Sequence, residues 1–370
     1  MRTTIGTRSI VLLILLGAIV AGAGLELGLR TLPVSSGLYD AQEVGPFPLL
    51  RFDSHLSWTH SIGWDFRYPV HGTTNNYGQV SPFDYVQGER AVVVLGDSFV
   101  ENQYNNYQDS LQGRLRDDLQ GKPVYSFGMS GNSLSDYIAT VQITSADFKF
   151  DALVFYIVDG DIRESFDVDP GHYMLAGWPD ALYLRYQPKG AQSTLGRVLR
   201  GIGGSALVNY AFANLRFQIN DLLPTAAKSK PVTAPASAVD TRTDRDRRAV
   251  DFFLDNLART PVVPSRVVLA LDSDRYRIYD PKLADRPKDD PINRQYLASE
   301  ARRRGFQVLD TAPNFESDYR EHGIHFDYFP LDRHLNGYGN GLVANLVAKR
   351  LRQQGNKTLN DDVNSNNSRR

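Results

Sequence analysis

The sequence predicts an α/β fold with a parallel five-stranded sheet, preceded by one N-terminal transmembrane helix. Two observations lead to this prediction. Short apolar runs of strand length alternate with helical patterns through most of the 370-residue chain, and such alternation is typical of βαβ units, whose strands run parallel. An almost uncharged apolar run also lies close to the first residue.

The apolar run at residues 10–25 follows the basic residues Arg2 and Arg8. Its length is near the low end of the roughly 17 to 25 residues that span a bilayer, and the basic side is expected to stay cytoplasmic. We therefore predict that residues 1–31 form a cytoplasmic stub and a membrane anchor in the cell inner membrane. The main domain would then lie on the periplasmic or extracytoplasmic side. The small-residue triplet at 21–23 also fits a signal-peptidase site, so secretion after signal cleavage is an alternative interpretation.

A lead-in at residues 32–90 is rich in Pro, Gly, Asn and aromatic residues, which predicts irregular structure packed on the main domain. The main domain covers residues 91–353. Its strands are predicted at 91–95, 124–127, 152–158, 266–271 and 306–309, and its helices at about 107–119, 134–146, 247–258, 291–304 and 338–353.

An insertion at about residues 165–246 follows the third predicted strand, and its part at 224–235 has the composition of a flexible linker. The tail at 354–370 is polar and rich in Asn, which predicts disorder.

Composition excludes several classes of function. The chain has 41 basic and 42 acidic residues, so it lacks the positive charge that nucleic-acid binding requires, and no nucleic-acid partner is expected. It has no cysteine, which excludes disulfides, thiol catalysis and cysteine-ligated metal. His322 and His325 have a glycine between them and no acidic partner pattern, so no metal site is predicted. No organic cofactor is expected either.

Polar residues follow each of the five predicted strands. In an open parallel sheet, ligands bind at the carboxyl ends of the strands, near the point where strand order reverses. In strand order these residues are Ser98; Gly131 and Asn132; Asp159 and Asp161; Asp272 and Asp274; and Asp332 and His334. We therefore expect them to share one rim of the sheet. The charged turn with Arg275 is interpreted as an ordinary strand end rather than a substrate contact.

Three of these residues have the chemistry of a nucleophilic site. The Ser98 hydroxyl is a poor nucleophile until a base removes its proton, and the neutral imidazole of His334 suits that role near neutral pH. Asp332 is the nearest carboxylate that could fix the tautomer of His334. The alternative interpretations are that Ser98 caps a helix and that His334 is merely exposed or capping.

Two runs of residues resemble known sequence blocks. The Gly-Asp-Ser-Phe run at 96–99, at the end of an apolar strand, resembles block I of the GDSL or SGNH hydrolases, and residues 329–336 resemble the C-terminal block of that family. The family contains esterases, lipases and enzymes that transfer or remove carbohydrate acetyl groups. The resemblance, closest to membrane-anchored bacterial members related to polysaccharide O-acetylation and deacetylation, implies a flavodoxin-like three-layer SGNH fold with Ser98 as the nucleophile.

The same resemblance indicates how an oxyanion would be held. Residues 128–133 look like the second block of the family, so the N–H of Gly131 would donate beside that of Ser98; the alternative is that the glycines only allow tight turns. Asp159 stands where the third block carries an asparagine, and an ionised carboxylate cannot donate a hydrogen bond. Either Asp159 is protonated, or Asn132 or another group replaces it, or activity is impaired.

The C-terminal block departs from the family in its spacing. Many members place the aspartate three residues before the histidine, whereas Asp332 is two residues before His334. Asp327 is therefore an alternative orienting carboxylate. Ser130 lacks the glycine pattern of the Gly-x-Ser-x-Gly elbow and is not expected to be a nucleophile.

These residues and the resemblance together predict a serine-dependent ester hydrolase or O-acyltransferase. Its expected partners are an O-acylated, chiefly acetylated, carbohydrate of the envelope or an exported glycan, and the membrane through the N-terminal helix. The alternative is a catalytically silent protein with the SGNH fold that binds glycans or serves as a scaffold component of a surface-polysaccharide assembly. A third hypothesis is a lipid or peptide esterase. Trp58, Trp64 and Tyr68 in the lead-in are expected to pack in a core or lid, or to stack on sugar rings.

Overall fold

The computed structural model describes residues 6–38, 41–45, 48–189, 204–217, 236–280, 282 and 291–367. The strands are β1 (Gln42–Val44), β2 (Leu49–Arg51), β3 (Ser57–Ile62), β4 (Arg67–Thr73), β5 (Arg90–Gly96), β6 (Val124–Gly128), β7 (Lys149–Ile157), β8 (Tyr173–Ala176), β9 (Tyr183–Tyr186), β10 (Val267–Leu271), β11 (Gln307–Asp310), β12 (Asp327–Tyr328) and β13 (Asp332–Leu335). The helices are α1 (Thr7–Leu29), α2 (Ser98–Glu101), α3 (Leu111–Asp118), α4 (Leu134–Thr144), α5 (Asp161–Glu164), α6 (Ala206–Asn209), α7 (Ala236–Ala258), α8 (Arg275–Tyr279), α9 (Pro291–Arg303), α10 (Ala312–His322) and α11 (Gly337–Asn367).

The described residues fall into two compact units. The first lies within residues 1–40, 57–71 and 191–231, and the second within 41–56, 72–190 and 232–370. This division cuts across both the predicted lead-in and the predicted insertion. Its physical reason is long-range hydrogen bonding that sequence patterns do not reveal: in the first unit the Asn214 side chain donates to Ser61 Oγ at 2.8 Å and accepts from the Ser35 N–H at 3.0 Å.

The second unit contains the predicted sheet. Its five strands are all parallel and lie in the order β11-β10-β7-β5-β6, which confirms the fold class expected from the sequence. The strands are mostly apolar and buried because the sheet is covered on both faces, as parallel sheets are. The chain leaves β5 for β6 on one side and then returns to β7 on the other, so the carboxyl ends of β5 and β7 form the point of strand-order reversal.

Successive side chains of each strand point to opposite faces of the sheet. On one face, Leu95 and Phe155 pack against α4, α7 and α9, and the Phe155 ring lies edge-on to Phe253 of α7 at 5.4 Å. On the other face, Val94 and Tyr156 pack against α3, α10 and α11. Each fully buried aliphatic or aromatic side chain contributes about 1.5–3 kcal/mol, so this three-layer arrangement holds the rim of the sheet in place.

Some elements differ from the prediction. Asp332 and His334 do not follow the fifth strand directly, because α10 and β12 intervene and the two residues lie in β13 of a separate hairpin. Pro313 in the first turn of α10 and Gly323 after its last residue, with a φ of +66°, are ordinary start and stop signals.

The structure also differs from the prediction in the tail, where disorder was predicted from residue 354 but α11 continues as far as Asn367. Residues 354–367 contain no proline and one glycine, so an established helix can extend through them. The predicted linker at 224–235 lies outside the described residues.

The first unit begins with α1, whose 23 residues are long and apolar enough to cross a membrane. Its large side chains are exposed, for example Ile14 at 66% and Ile19 at 68%. After α1 the chain forms a small apolar core from Leu29, Val34 and Ala206. The N-terminal helix of the prediction is therefore present.

Candidate active site

Ser98 lies at the turn between β5 and α2. Gly96 ends the strand, Asp97 makes the turn and Ser98 begins the helix. The Asp97 carboxylate caps α2 by accepting from the Phe99 N–H at 2.9 Å, so the capping role belongs to Asp97 rather than to the Ser98 hydroxyl. Gly96 is required because a Cβ there would lie 2.4 Å from Val100 Cγ2. The turn therefore presents the Ser98 side chain at the carboxyl edge of the sheet.

Ser98, His334 and Asp332 form a continuous chain of hydrogen bonds. Ser98 Oγ lies 2.8 Å from His334 Nε2, and His334 Nδ1 lies 2.6 Å from Asp332 Oδ1. Both the imidazole and the carboxylate are largely buried, with 18% and 8% of their side-chain surfaces exposed. This arrangement has the geometry of a nucleophile, a general base and an orienting carboxylate.

The unusual spacing of the aspartate and the histidine follows from the local secondary structure. Both residues lie in strand β13, where side chains two positions apart point to the same face. The Asp332 carboxylate also accepts a hydrogen bond from the His334 backbone N–H at 2.9 Å. A separation of two residues is therefore what a strand requires for this pair to meet.

Asp327, the alternative orienting carboxylate, is used elsewhere. Its side chain is fully buried, and its Oδ2 accepts from Arg275 Nε at 3.0 Å while its Oδ1 accepts from the Phe329 N–H at 3.2 Å. The structure thus pairs His334 with Asp332 and pairs Asp327 with Arg275.

Arg275 connects the end of β10 to the hairpin that carries His334. Only 3% of the residue is exposed. Its guanidinium pairs with Asp272 and Asp327 and also donates to the carbonyl oxygen of Arg333 at 2.6 Å. The prediction of an ordinary charged turn was therefore wrong for Arg275, which is buried and bonds to the backbone of Arg333, the residue before His334.

Two aromatic rings enclose the imidazole of His334. Tyr104 stacks on it with ring centroids 3.9 Å apart, and Phe99 lies against it at 4.7 Å. These contacts restrict rotation of the imidazole about its side-chain torsions. Tyr104 belongs to an irregular loop after α2, and no pattern in the sequence marks it as part of the site.

Gly131 and Asn132 follow β6, as predicted. Gly131 has a φ of +85°, a backbone conformation that favours glycine. Asn132 is 8% exposed, and its side-chain amide donates to the carbonyl oxygen of Gly96 at 3.3 Å. Among the described residues, neither lines the cleft into which Ser98 opens, so their predicted role at an oxyanion stays a prediction.

Asp159 does line that cleft, beside Ser98. Its Oδ1 accepts from Arg294 Nη1 at 3.0 Å, and the same guanidinium donates to Asp310 at 2.8 Å. The negative charge of Asp159 is therefore compensated by a cation. No pattern in the sequence indicates this pairing.

Two carboxyl groups near Ser98 have raised pKa values: Asp97 in the turn itself, and Asp161, which interacts with Asp97. Desolvation raises the pKa of Asp97 to about 7, and the neighbouring carboxylates Asp272 and Glu164 add to the effect. Burial also raises the pKa of Asp161, with Asp97 the next cause. Asp161 is fully buried and accepts from the Tyr137 hydroxyl at 2.8 Å and from the Val158 N–H at 3.1 Å, so it holds the turn after β7 in place.

The cleft has a volume of about 1150 Å³, which is slightly above the range of about 300–1,000 Å³ for small-molecule sites. Its lining is mixed in charge, with arginines and carboxylates on the same walls. The ionised or ionisable side chains include Asp159, Arg163, Asp274, Arg277, Arg294, Arg302, Arg320 and Arg333. A polar ligand considerably larger than a single acyl group has room beside Ser98.

The chain matches no protein-family model, and no curated protein matches it in sequence. Among solved structures, it is similar to a member of the lipolytic protein G-D-S-L family from Veillonella parvula DSM 2008. The TM-score is 0.35 and the identity 11%, over 69% of this chain and 94% of that chain.

Proposed function

We propose that this protein is a serine-dependent ester hydrolase or O-acyltransferase of the SGNH type. The observation that carries the proposal is the hydrogen-bonded chain from Ser98 through His334 to Asp332. A serine with only a structural role would have no need of an imidazole at 2.8 Å that is itself held by a carboxylate.

In the proposed reaction, Ser98 Oγ forms a bond to the carbonyl carbon of the ester while its proton passes to His334 Nε2. The ester C–O bond then breaks, and the leaving hydroxyl takes the proton from the imidazolium, which Asp332 stabilises. Water or a sugar hydroxyl next attacks the acyl carbon of the acyl-enzyme, with His334 again accepting the proton. The bond between that carbon and Ser98 Oγ then breaks, and His334 returns the proton to Ser98. Water as the acceptor gives hydrolysis, and a sugar gives transfer.

The oxyanion formed in each step needs hydrogen-bond donors already in place. The N–H of Ser98 is suitable because the first N–H groups of a helix have no acceptor within the helix. We assign the N–H of Gly131 as its partner. The pairing of Asp159 with Arg294 supports activity in spite of the aspartate, because it offsets the negative charge that would oppose an oxyanion.

The proposed substrate is an acylated, chiefly acetylated, glycan of the envelope or an exported polysaccharide. Two features support it: the polar and roomy cleft beside Ser98, and the apolar helix α1, which would anchor the protein in the inner membrane as a single-pass protein. Arg2 and Arg8, which precede the apolar run at residues 10–25, favour a cytoplasmic N-terminus, and hence a periplasmic main domain. A signal peptide that is cleaved would release the same domain into that compartment.

The experiment that tests the proposal compares the full-length protein with Ser98→Ala in two assays: labelling by a fluorophosphonate, and hydrolysis of a small acetyl ester. Ser145→Ala is the matched control, because Ser145 lies at an exposed helix end, where its hydroxyl donates to the carbonyl oxygen of Gln142. Labelling and turnover should be lost in Ser98→Ala alone. A folded wild-type protein that shows neither would contradict the proposal.

The second candidate is a catalytically silent glycan-binding or scaffold protein of a surface-polysaccharide assembly. Asp159, in place of the family asparagine, is the observation that favours it. If this second candidate is correct, the wild type and Ser98→Ala should bind an acetylated oligosaccharide with equal affinity. Neither protein should then be labelled by the fluorophosphonate or hydrolyse the ester.

A further inference from the structure

The depth at which α1 would leave a bilayer follows from its length. At about 1.5 Å per residue, roughly 20 residues cross a hydrocarbon core of about 30 Å. The stretch from Thr7 to Glu26 in α1 has that length. Glu26 and Arg30, paired with each other at 2.7 Å, would therefore lie at the boundary between the hydrocarbon and the lipid headgroups.

Helix α6 is fixed to α1 at this level. The Glu26 carboxylate accepts from the Ser205 hydroxyl at 2.8 Å and from the backbone N–H groups of Ala206 and Leu207 at 3.1 and 2.9 Å. Arg30 donates to the carbonyl oxygen of Gly204 at 3.2 Å. Residues 204–207 are thus attached to the charged turn of α1 and share its depth.

The turn between β3 and β4 is attached to the same place. The Tyr210 hydroxyl donates to the carbonyl oxygen of Trp64 at 3.0 Å, and the rings of Tyr210 and Phe66 lie 5.2 Å apart. Both rings pack against the small core that contains Leu29 at the end of α1. The β3–β4 turn therefore also lies close to the level of Glu26.

These attached segments expose large apolar side chains. Trp64 is 69% exposed and Tyr68 51%, although Trp58 in the same β-hairpin is buried at 4%. Phe212, Leu215 and Phe217, which follow α6, are 40–49% exposed. We call Trp64, Tyr68, Phe212, Leu215 and Phe217 the collar.

We propose that the collar is a second membrane-binding surface, which inserts into the headgroup region around the exit of α1. Its partner is the lipid bilayer itself. Tryptophan and tyrosine concentrate at this depth because one part of each ring is apolar and the other forms hydrogen bonds. Exposed apolar side chains attached to the last turn of a membrane-spanning helix meet that region directly, whereas in water they would carry the cost of apolar hydration.

The collar would restrict the rotation and tilt of the first unit relative to the membrane. A single helix joined to a domain leaves both motions free, whereas an interfacial belt of aromatic side chains opposes them. This proposal needs α1 as a retained anchor and does not depend on any chemistry at Ser98.

The test uses the full-length protein reconstituted in lipid nanodiscs, with Trp178→Phe as the background. Two tryptophans then remain, the exposed Trp64 and the buried Trp58, and α1 itself contains none. Nanodiscs are made with ordinary phospholipid, with phospholipid brominated near the top of the acyl chain, and with phospholipid brominated near the chain end. Bromine quenches tryptophan on contact, so the emission reports the depth of the ring.

We expect the emission of Trp178→Phe to fall in lipid brominated near the headgroup, and to fall less in lipid brominated near the chain end. Adding Trp64→Phe should abolish the quenching, and the Trp58 that remains should emit equally in all three lipids, which also shows that the unit is folded. Equal emission of Trp178→Phe in all three lipids would overturn the proposal. Quenching that persists after Trp64→Phe would overturn it as well, since it would not come from the collar. Failure of the full-length protein to remain bound to the nanodisc would also overturn the proposal.

Discussion

The phenol ring of Tyr104 lies parallel to the imidazole of His334, with ring centroids 3.9 Å apart and an interplanar angle of 14°. Tyr104 is 8% exposed, so the contact is protected from water. Stacking of this kind fixes the plane in which both imidazole nitrogens lie. It therefore helps to aim one nitrogen at Ser98 and the other at Asp332.

Replacing Tyr104 should weaken catalysis through the orientation of His334. An aromatic pair contributes about 0.5–1.5 kcal/mol beyond its buried area, so we expect Tyr104→Leu to lower kcat by roughly 2- to 10-fold, with little change in KM. Tyr104→Phe keeps the ring and should retain nearly all of the activity. Steady-state kinetics on an acetyl ester would measure both, and equal losses in the two variants would show that the stacking is not what matters.

Removing the charge of Asp332 should lower activity far more. Asp332→Asn keeps the size of the side chain but cannot stabilise the imidazolium, and it favours the wrong tautomer of His334, so kcat should fall by about 10²–10⁴. Asp84→Asn, at a carboxylate that is 55% exposed, serves as the control and should behave as the wild type. Wild-type rates in Asp332→Asn would assign the orienting role to another group.

Arg275 should be important for stability as well as for activity. Arg275→Met leaves the buried carboxylate of Asp327 without its cation, which costs about 3–5 kcal/mol in the free energy of unfolding. Adding Asp327→Asn removes that lone charge and should recover part of the loss. Urea unfolding of the single and double variants measures both effects.

The matched control for this prediction is Arg266→Met. Arg266 also forms an ion pair, with Asp151 at 2.6 Å, and donates to the carbonyl oxygens of Asp151 and Leu351. Both side chains of the pair are more than 20% exposed, so the loss of Arg266 should cost less than the loss of Arg275. If Arg275→Met were no more destabilising than Arg266→Met, the buried network would not brace the hairpin.

The raised pKa of Asp97 makes stability depend on pH. The pKa of Asp97 in the folded protein is about 7, whereas the ordinary pKa of an aspartate is 3.8. Between these two pH values the folded protein therefore binds more protons than the unfolded chain. The stabilisation is complete below about pH 4 and is lost as the pH rises through about 7. Asp97→Asn should flatten this dependence, by an amount on the order of a few kcal/mol.

Urea unfolding of the wild type and of Asp97→Asn across that pH range checks this prediction. Asp53→Asn, at an exposed side chain, is the control and should follow the wild type. Parallel pH profiles for Asp97→Asn and the wild type would mean that Asp97 is not the group responsible.

Much of the second unit could be predicted from the sequence because its signals are local. Each strand of the sheet is an apolar run bounded by polar turns, and the Gly-Asp-Ser turn at 96–98 stands at the end of one of them. Since parallel strands all end at one edge, the presence of Ser98 and Asp159 at the same edge follows from strand order alone, whereas His334 lies in the separate β12–β13 hairpin. The spacing of Asp332 and His334 was apparent in the sequence, but its cause, strand β13, was not.

What the sequence did not reveal depends on contacts between distant residues. The bond of Asn214 to Ser61, which helps to define the first unit, joins residues 153 positions apart. Arg275 forms its pair with Asp327 across 52 positions, and Tyr104 has no local feature that distinguishes it from other loop aromatics. Periodicity and turn signals report on neighbours along the chain, so they do not register such pairs.

The bond between Ser98 and His334 joins residues 236 positions apart. A growing polypeptide that has already produced the serine, and even the first three strands of the sheet, still lacks its base. Under the proposed function, the hydroxyl of Ser98 would therefore lack its base until the β12–β13 hairpin that carries His334 has formed. Labelling of Ser98 by a fluorophosphonate would then report that the two distant parts of the site have come together.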